Sequence, residues 1–153
     1  MKILNHTVRR LRRDDPTATL PYLAYLSCID APTEITPEAG IFLEYAPIHR
    51  DFHAPIAGQT QSEPLERLLH CFGADNAKVL DYWYDNSLFS KWTKPPVPFT
   101  VDAPVMEADF AYYRSLGFTD IGCFACYLGA DYEALHGEVD VAPFAKAYHG
   151  TAQ

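Results

Sequence analysis

Basic residues are scarce in this 153-residue chain: 12 Lys and Arg face 20 Asp and Glu, for a formal net charge of -8. Phosphate backbones are bound through basic surfaces that displace counterions, so this balance argues against a nucleic-acid partner. The one basic cluster, Arg9, Arg10, Arg12 and Arg13, reads as the solvated face of an N-terminal helix. Also missing is any run near the roughly 20 apolar residues that a membrane-spanning helix needs. The first residues lack the apolar core and cleavage site of a signal peptide, so the chain as written reads as unexported; were it a piece of a longer protein, it would be exported with its parent. No phosphate-cradling glycine loop, no nucleophile elbow and no local Cys/His pair occurs, which disfavours nucleotide, serine and cysteine chemistry and gives no reason to expect a cofactor.

Cysteine is limited to Cys28, Cys71, Cys123 and Cys126, scattered through apolar runs as small buried thiols with no sign of a disulfide framework. The C-x-x-C pair at 123 and 126 falls in a strand-like segment, where positions three apart point to opposite faces and cannot share a metal. His49 and His53 have helical ligand spacing, but Pro47 and Pro55 make a helix there improbable. No metal site is expected.

What the sequence does have is aromatic and acidic residues concentrated where β-like runs stop. Residues 81–87 place Asp81, Asp85 and Asn86 among Tyr82, Trp83 and Tyr84; weaker versions follow Glu44 and Phe124. Proteins hold sugar rings with this combination, stacking on aromatic faces and taking hydroxyl hydrogen bonds on carboxylates. Apolar patterning predicts strands over 20–28, 41–46, 78–84 and 118–128. It also predicts helices over 3–11, from Ser62 as N-cap to Phe72, and over 105–116, with a short helical or irregular tail beyond Asp131. The order is that of a single α/β domain with a mainly parallel sheet, in which ligands bind beyond the carboxyl ends of the strands.

The Asn5 helix, Leu23-Ala24-Tyr25 with Pro32, and residues 45–50, 81–88 and 110–118 together resemble, over roughly 5–132, the later part of the bacterial DUF4838 proteins. These are uncharacterised proteins, often polysaccharide-associated, whose central domain is similar to a glycoside-hydrolase TIM barrel. The resemblance implies half of a (β/α)8-type barrel, with four mainly parallel strands and helices on the outer face, acting on carbohydrate. A whole barrel takes roughly 200 to 250 residues. The chain is therefore expected to be a piece lacking the N-terminal half of the barrel, a short relative that closes one barrel as a homodimer, or another compact form. Unpaired sheet edges favour the homodimer.

Glycoside hydrolysis uses two carboxyl groups across the scissile bond. Glu44, Asp51, Asp81, Asp85 and Asp131 are available at strand ends, and Glu44 and Asp81, each a lone acid between apolar neighbours, are the expected catalytic pair. On a strand Asp81, Trp83 and Asp85 share one face, expected to line the barrel interior. His49, Arg50, Trp83, Asp85 and Tyr127 are the expected substrate-binding residues, with Tyr25 and Ser27 weaker candidates. The alternative is a non-catalytic carbohydrate-binding or structural remnant, in which Glu44 is merely ion-paired and the same aromatics form core.

Overall fold

The structure, a computed structural model, describes residues 1–150. Four strands, β1 (Leu20–Ala24), β2 (Ile41–Tyr45), β3 (Lys78–Asp85) and β4 (Asp120–Cys126), form one all-parallel sheet in the order β1-β2-β3-β4. Helix α1 (Lys2–Asp14) precedes β1, and α2 (Leu65–Phe72) joins β2 to β3. A short α3 (Asn86–Phe89) and the longer α4 (Ala103–Ser115) lie between β3 and β4; α5 (Ala130–His136) and α6 (Ala142–His149) follow. No described helix is long and apolar enough to cross a membrane.

The helices start and stop where local chemistry says they must. In α4 the Asp102 side chain accepts from the Val105 amide and Pro104 occupies the first turn, where a missing N–H costs nothing. Gly117, at φ 94°, then takes the left-handed conformation that ends the helix. Ser62 does not cap α2: it sits in a 3-10 turn with its hydroxyl donating to Gln59 O, and α2 begins after Pro64. Strand β1 is shorter than the apolar run 20–28, because Leu26 has φ 48° and the chain turns into a 3-10 helix at Leu26–Cys28. The tail from Ala130 is helical, in two short pieces.

The two faces of the sheet differ. Ala24, Leu43, Tyr45, Val79, Trp83, Tyr84 and Ile121 pack with Leu65 and Leu68 of α2, Met106, Phe110 and Tyr113 of α4, and Ala147 of α6 in one core. The alternate positions, among them Leu23, Phe42, Glu44, Leu80, Tyr82 and Phe124, lie on the opposite face. Leu23 and Phe124 there are 44% and 43% exposed, so the core is one-sided. The thiols are less sheltered than expected: Cys28 is exposed and the other three are half-buried, all four free.

Gly40, just before β2, has φ 93°, and a Cβ there would come within 2.9 Å of Ala18 O and 2.6 Å of Arg12 Nη1. Gly40→Ala is therefore expected to cost more than about 1 kcal/mol, through left-handed strain and backbone collision together. Urea unfolding checks this; a change within about 0.5 kcal/mol, the range of an ordinary surface substitution, would show that the segment relaxes freely.

Candidate functional site

The loop from Ala46 to Pro64 is pinned by a buried polar cluster. The Arg50 guanidinium is turned under the loop onto α4 and the covered face of β3, where its side chain and those of Asp81 and Asp109 are wholly buried. Its Nη1 donates to Asp81 Oδ2 at 2.9 Å, and Nη2 donates to Asp109 Oδ2 at 2.6 Å and to Ala54 O at 3.1 Å. Asp81 also accepts from the Tyr113 hydroxyl at 2.7 Å and from the Tyr82 amide at 2.7 Å. Asp109 accepts from Trp83 Nε1 at 2.9 Å and from the Ile56 amide at 2.6 Å. Two carboxyl groups thus share one guanidinium in a layer closed to bulk solvent.

The electrostatics follow from that ratio. Burial pushes Asp81 up to about 6, against the opposing pull of Arg50 and the Tyr113 hydroxyl, with Asp109 adding to the rise. Burial by itself would lower Arg50, but Asp81 and Asp109 outweigh it and hold the guanidinium above its ordinary value. Tyr113 is pushed well up by burial and then by the neighbouring Asp81. Such a cluster anchors α4 and the loop to the sheet.

Asp81 and Trp83 therefore do not face a barrel interior as expected. Trp83 stacks on Phe110 of α4 with ring centroids 5.2 Å apart and contacts Phe144 of α6, so both residues belong to the helix-covered side. Nor do Asp81 and Asp85 share a face. The β3–β4 register shifts between Asp81 and Tyr84, and this bulge lets Tyr84 join Trp83 against Phe144, which turns Asp85 to the side of Tyr82. Asp85 is among the charges that raise Tyr82, after burial and Tyr25.

Glu44 is half-buried on the uncovered face, level with Lys78 at the start of β3. It is one of the charges that raise Lys78, though the bond from Lys78 to Asp120 counts for more. Glu44 and Asp81 thus lie on opposite faces of the sheet and cannot flank one bond. His49 is exposed while its neighbour Arg50 points inward, so the two do not form one anion site. Asp51 closes a turn on the His53 amide.

At the carboxyl ends of the strands, on the uncovered side, the structure brings together a different set. Tyr25 stacks on Tyr82 at 6.3 Å, and Tyr82 meets Phe124 at 5.6 Å. Asp85 caps α3: its Oδ1 accepts from the Ser87 amide at 3.0 Å and the Ser87 hydroxyl at 2.5 Å. Its Oδ2 is buried with no hydrogen-bond partner among the described residues. The loop after α3 is tied down by Asn86, which donates to Val97 O, and presents Trp92 at 62% exposure. Tyr127, directly after β4, has φ 59° and lies under Lys94, which is ion-paired to Asp131. Leu26, Lys91, Trp92 and Tyr127, the four non-glycine residues with positive φ among those described, all lie in the segments that follow β1, β3 and β4, and such backbone strain concentrates where function constrains a chain.

The sequence reading missed Asp109 and Tyr113 in the cluster, and Tyr82 and Phe124 at the strand ends. Asp109 carried a signal: it is a lone acid three residues after Met106 and four before Tyr113, on the apolar stripe of α4. A concavity of about 720 Å³ lies elsewhere, between β4 and α6. Among the described residues no group of three or more His, Cys, Asp or Glu could hold a metal ion. No family model, no curated protein and no solved structure matches this chain.

Proposed function

We propose that this domain is a carbohydrate-binding half of a (β/α)8-type barrel, with its ligand held at the carboxyl ends of the strands on the uncovered face and no hydrolysis by this chain alone. The observation that carries the reading is the run Tyr25, Tyr82 and Phe124 beside the unpartnered Asp85 oxygen. Aromatic faces are what a sugar ring stacks on, led here by the 43% exposed Phe124, and the buried Asp85 oxygen can accept from a hydroxyl once a ligand parts the residues that cover it. The sequential order of parallel strands with a one-sided core supports the half-barrel architecture. Against hydrolysis stands the separation of Glu44 from Asp81 by the thickness of the sheet, since the reaction needs two carboxyl groups facing one bond.

Titration calorimetry with neutral oligosaccharides of several linkages tests this. At least one is expected to bind at about millimolar affinity or better, with Phe124→Ala and Tyr25→Ala each weakening it about tenfold through lost stacking. Binding that ignores both substitutions, or no binding by any saccharide, would overturn the reading. Turnover abolished by Glu44→Gln would restore the hydrolase.

A further inference from the structure

Among the described residues both edges of the sheet are bare: β1 and β4 each have one strand neighbour. The free edge of β1 offers the Leu23 amide and carbonyl and the Pro21 carbonyl, since Leu20, Tyr22 and Ala24 bond to β2; exposed parallel edges are normally paired or covered. Beside the β4 edge, between the sheet and α6, runs a groove of about 720 Å³ lined by Ile121, Cys123, Leu128, Val139, Val141 and Phe144, with Glu133 and Glu138 also on its wall. Helix α1 packs on β1 and β2 and is tied to Ala18 and Thr36 just before them, with Ile3 81% and Leu11 43% exposed. Arg9 of α1 pairs with Glu38 and Arg12 donates to Ala18 O, whereas Arg10 and Arg13, both exposed, have no carboxylate partner among the described residues.

We propose that the occupant of this groove is a second copy of the same chain. Strand β1 of one protomer pairs in parallel with β4 of its partner, and the adjoining α1 brings its arginines to the acidic groove. A twofold axis repeats the contact at the other edge, so that eight parallel strands close with no edge left. The half-exposed Leu23 of β1 and Phe124 of β4 then meet across the new pairing.

Charge selects this arrangement over the two alternatives at bare edges. Pairing β1 with β1 would run the strands antiparallel and bring arginines against arginines; pairing β4 with β4 would set glutamates against glutamates. Only the unlike pairing joins the basic helix to the acidic groove, and only it continues the parallel order.

Light scattering after size exclusion, over a range of protein concentrations, is the test. The wild-type chain is expected at twice its 17.2 kDa mass. Arg10→Glu with Arg13→Glu, and separately Glu133→Lys with Glu138→Lys, are all exposed changes expected to leave the circular dichroism unchanged and to give monomers. Mixing the two monomeric variants is expected to restore a dimer, since each helix then meets a groove of opposite sign at both contacts. A wild-type monomer at every concentration would overturn the proposal and leave the edges to an unlike chain; so would a dimer that survives either charge reversal.

Discussion

Arg50→Ala is expected to lower the free energy of unfolding by about 3–5 kcal/mol, because it leaves Asp81 and Asp109 buried together without their cation. That loss is a large share of the roughly 5–15 kcal/mol by which domains are stable. The damage should be greatest in the loop from Ala46 to Pro64, which is held through Arg50 to Ala54 O and through Asp109 to the Ile56 amide. Arg50→Lys should recover only part of the loss: an ammonium is a point charge and cannot present two parallel donors to carboxylates on β3 and α4. Urea unfolding with hydrogen exchange measures both. A cost below about 1 kcal/mol, the size of an exposed ion pair, would mean that the cluster is solvated and does not anchor the loop.

Ionisation of Asp81 should make the domain lose stability as pH rises through the mildly acidic range. Its pKa is raised from 3.8 to about 6 in the folded state, so between those values the native chain binds more protons than the unfolded one. Stability from this group is therefore complete below about pH 4 and is lost as pH climbs through about 6. A rise of about two units at about 1.4 kcal/mol each places the effect on the order of 3 kcal/mol. Asp81→Asn keeps an oxygen acceptor for Tyr113 and Arg50 but cannot ionise, so its profile should lack this step. The comparison with Asn matters because Asp15 and Asp131, both exposed and lowered, Asp15 by Thr17 and Asp131 by Lys94, act in the opposite sense in both proteins. Parallel stability profiles for wild type and Asp81→Asn would contradict this. The cost of Arg50→Ala should likewise shrink in acid, where a protonated Asp81 needs no cation.

Fold class was open to reading from sequence because apolar runs and their punctuation are local. Residues 41–46 and 78–84 are strands within a residue of the pattern, and Asp102-Ala103-Pro104 announced α4. The error over 20–28 has a local cause too, Leu26 in a left-handed conformation, which a leucine does not advertise. The site was harder to read. Side-chain alternation along β3 holds only until the bulge, and nothing in Tyr82-Trp83-Tyr84 says that two neighbouring aromatics will face the same way. The partners of Asp81 come from a loop 31 residues earlier and a helix 32 residues later, so the sequence could mark it as a carboxylate with special surroundings but not say which ones. Without Asp109 in view, Arg50 and Trp83 looked like ligands for a substrate; with it, they are ligands for each other's layer.

The division of labour between the two faces of the sheet is tested most directly by mapping amide chemical shifts in an isotope-labelled sample during titration with the best-binding saccharide. Perturbations are expected around Tyr25, Tyr82, Asp85, Phe124 and Tyr127, with the amides of Arg50, Asp109 and Tyr113 unmoved. Shifts centred on the Arg50 cluster, or along the groove at Val139 and Phe144, would contradict the assignment of ligand binding to the uncovered face.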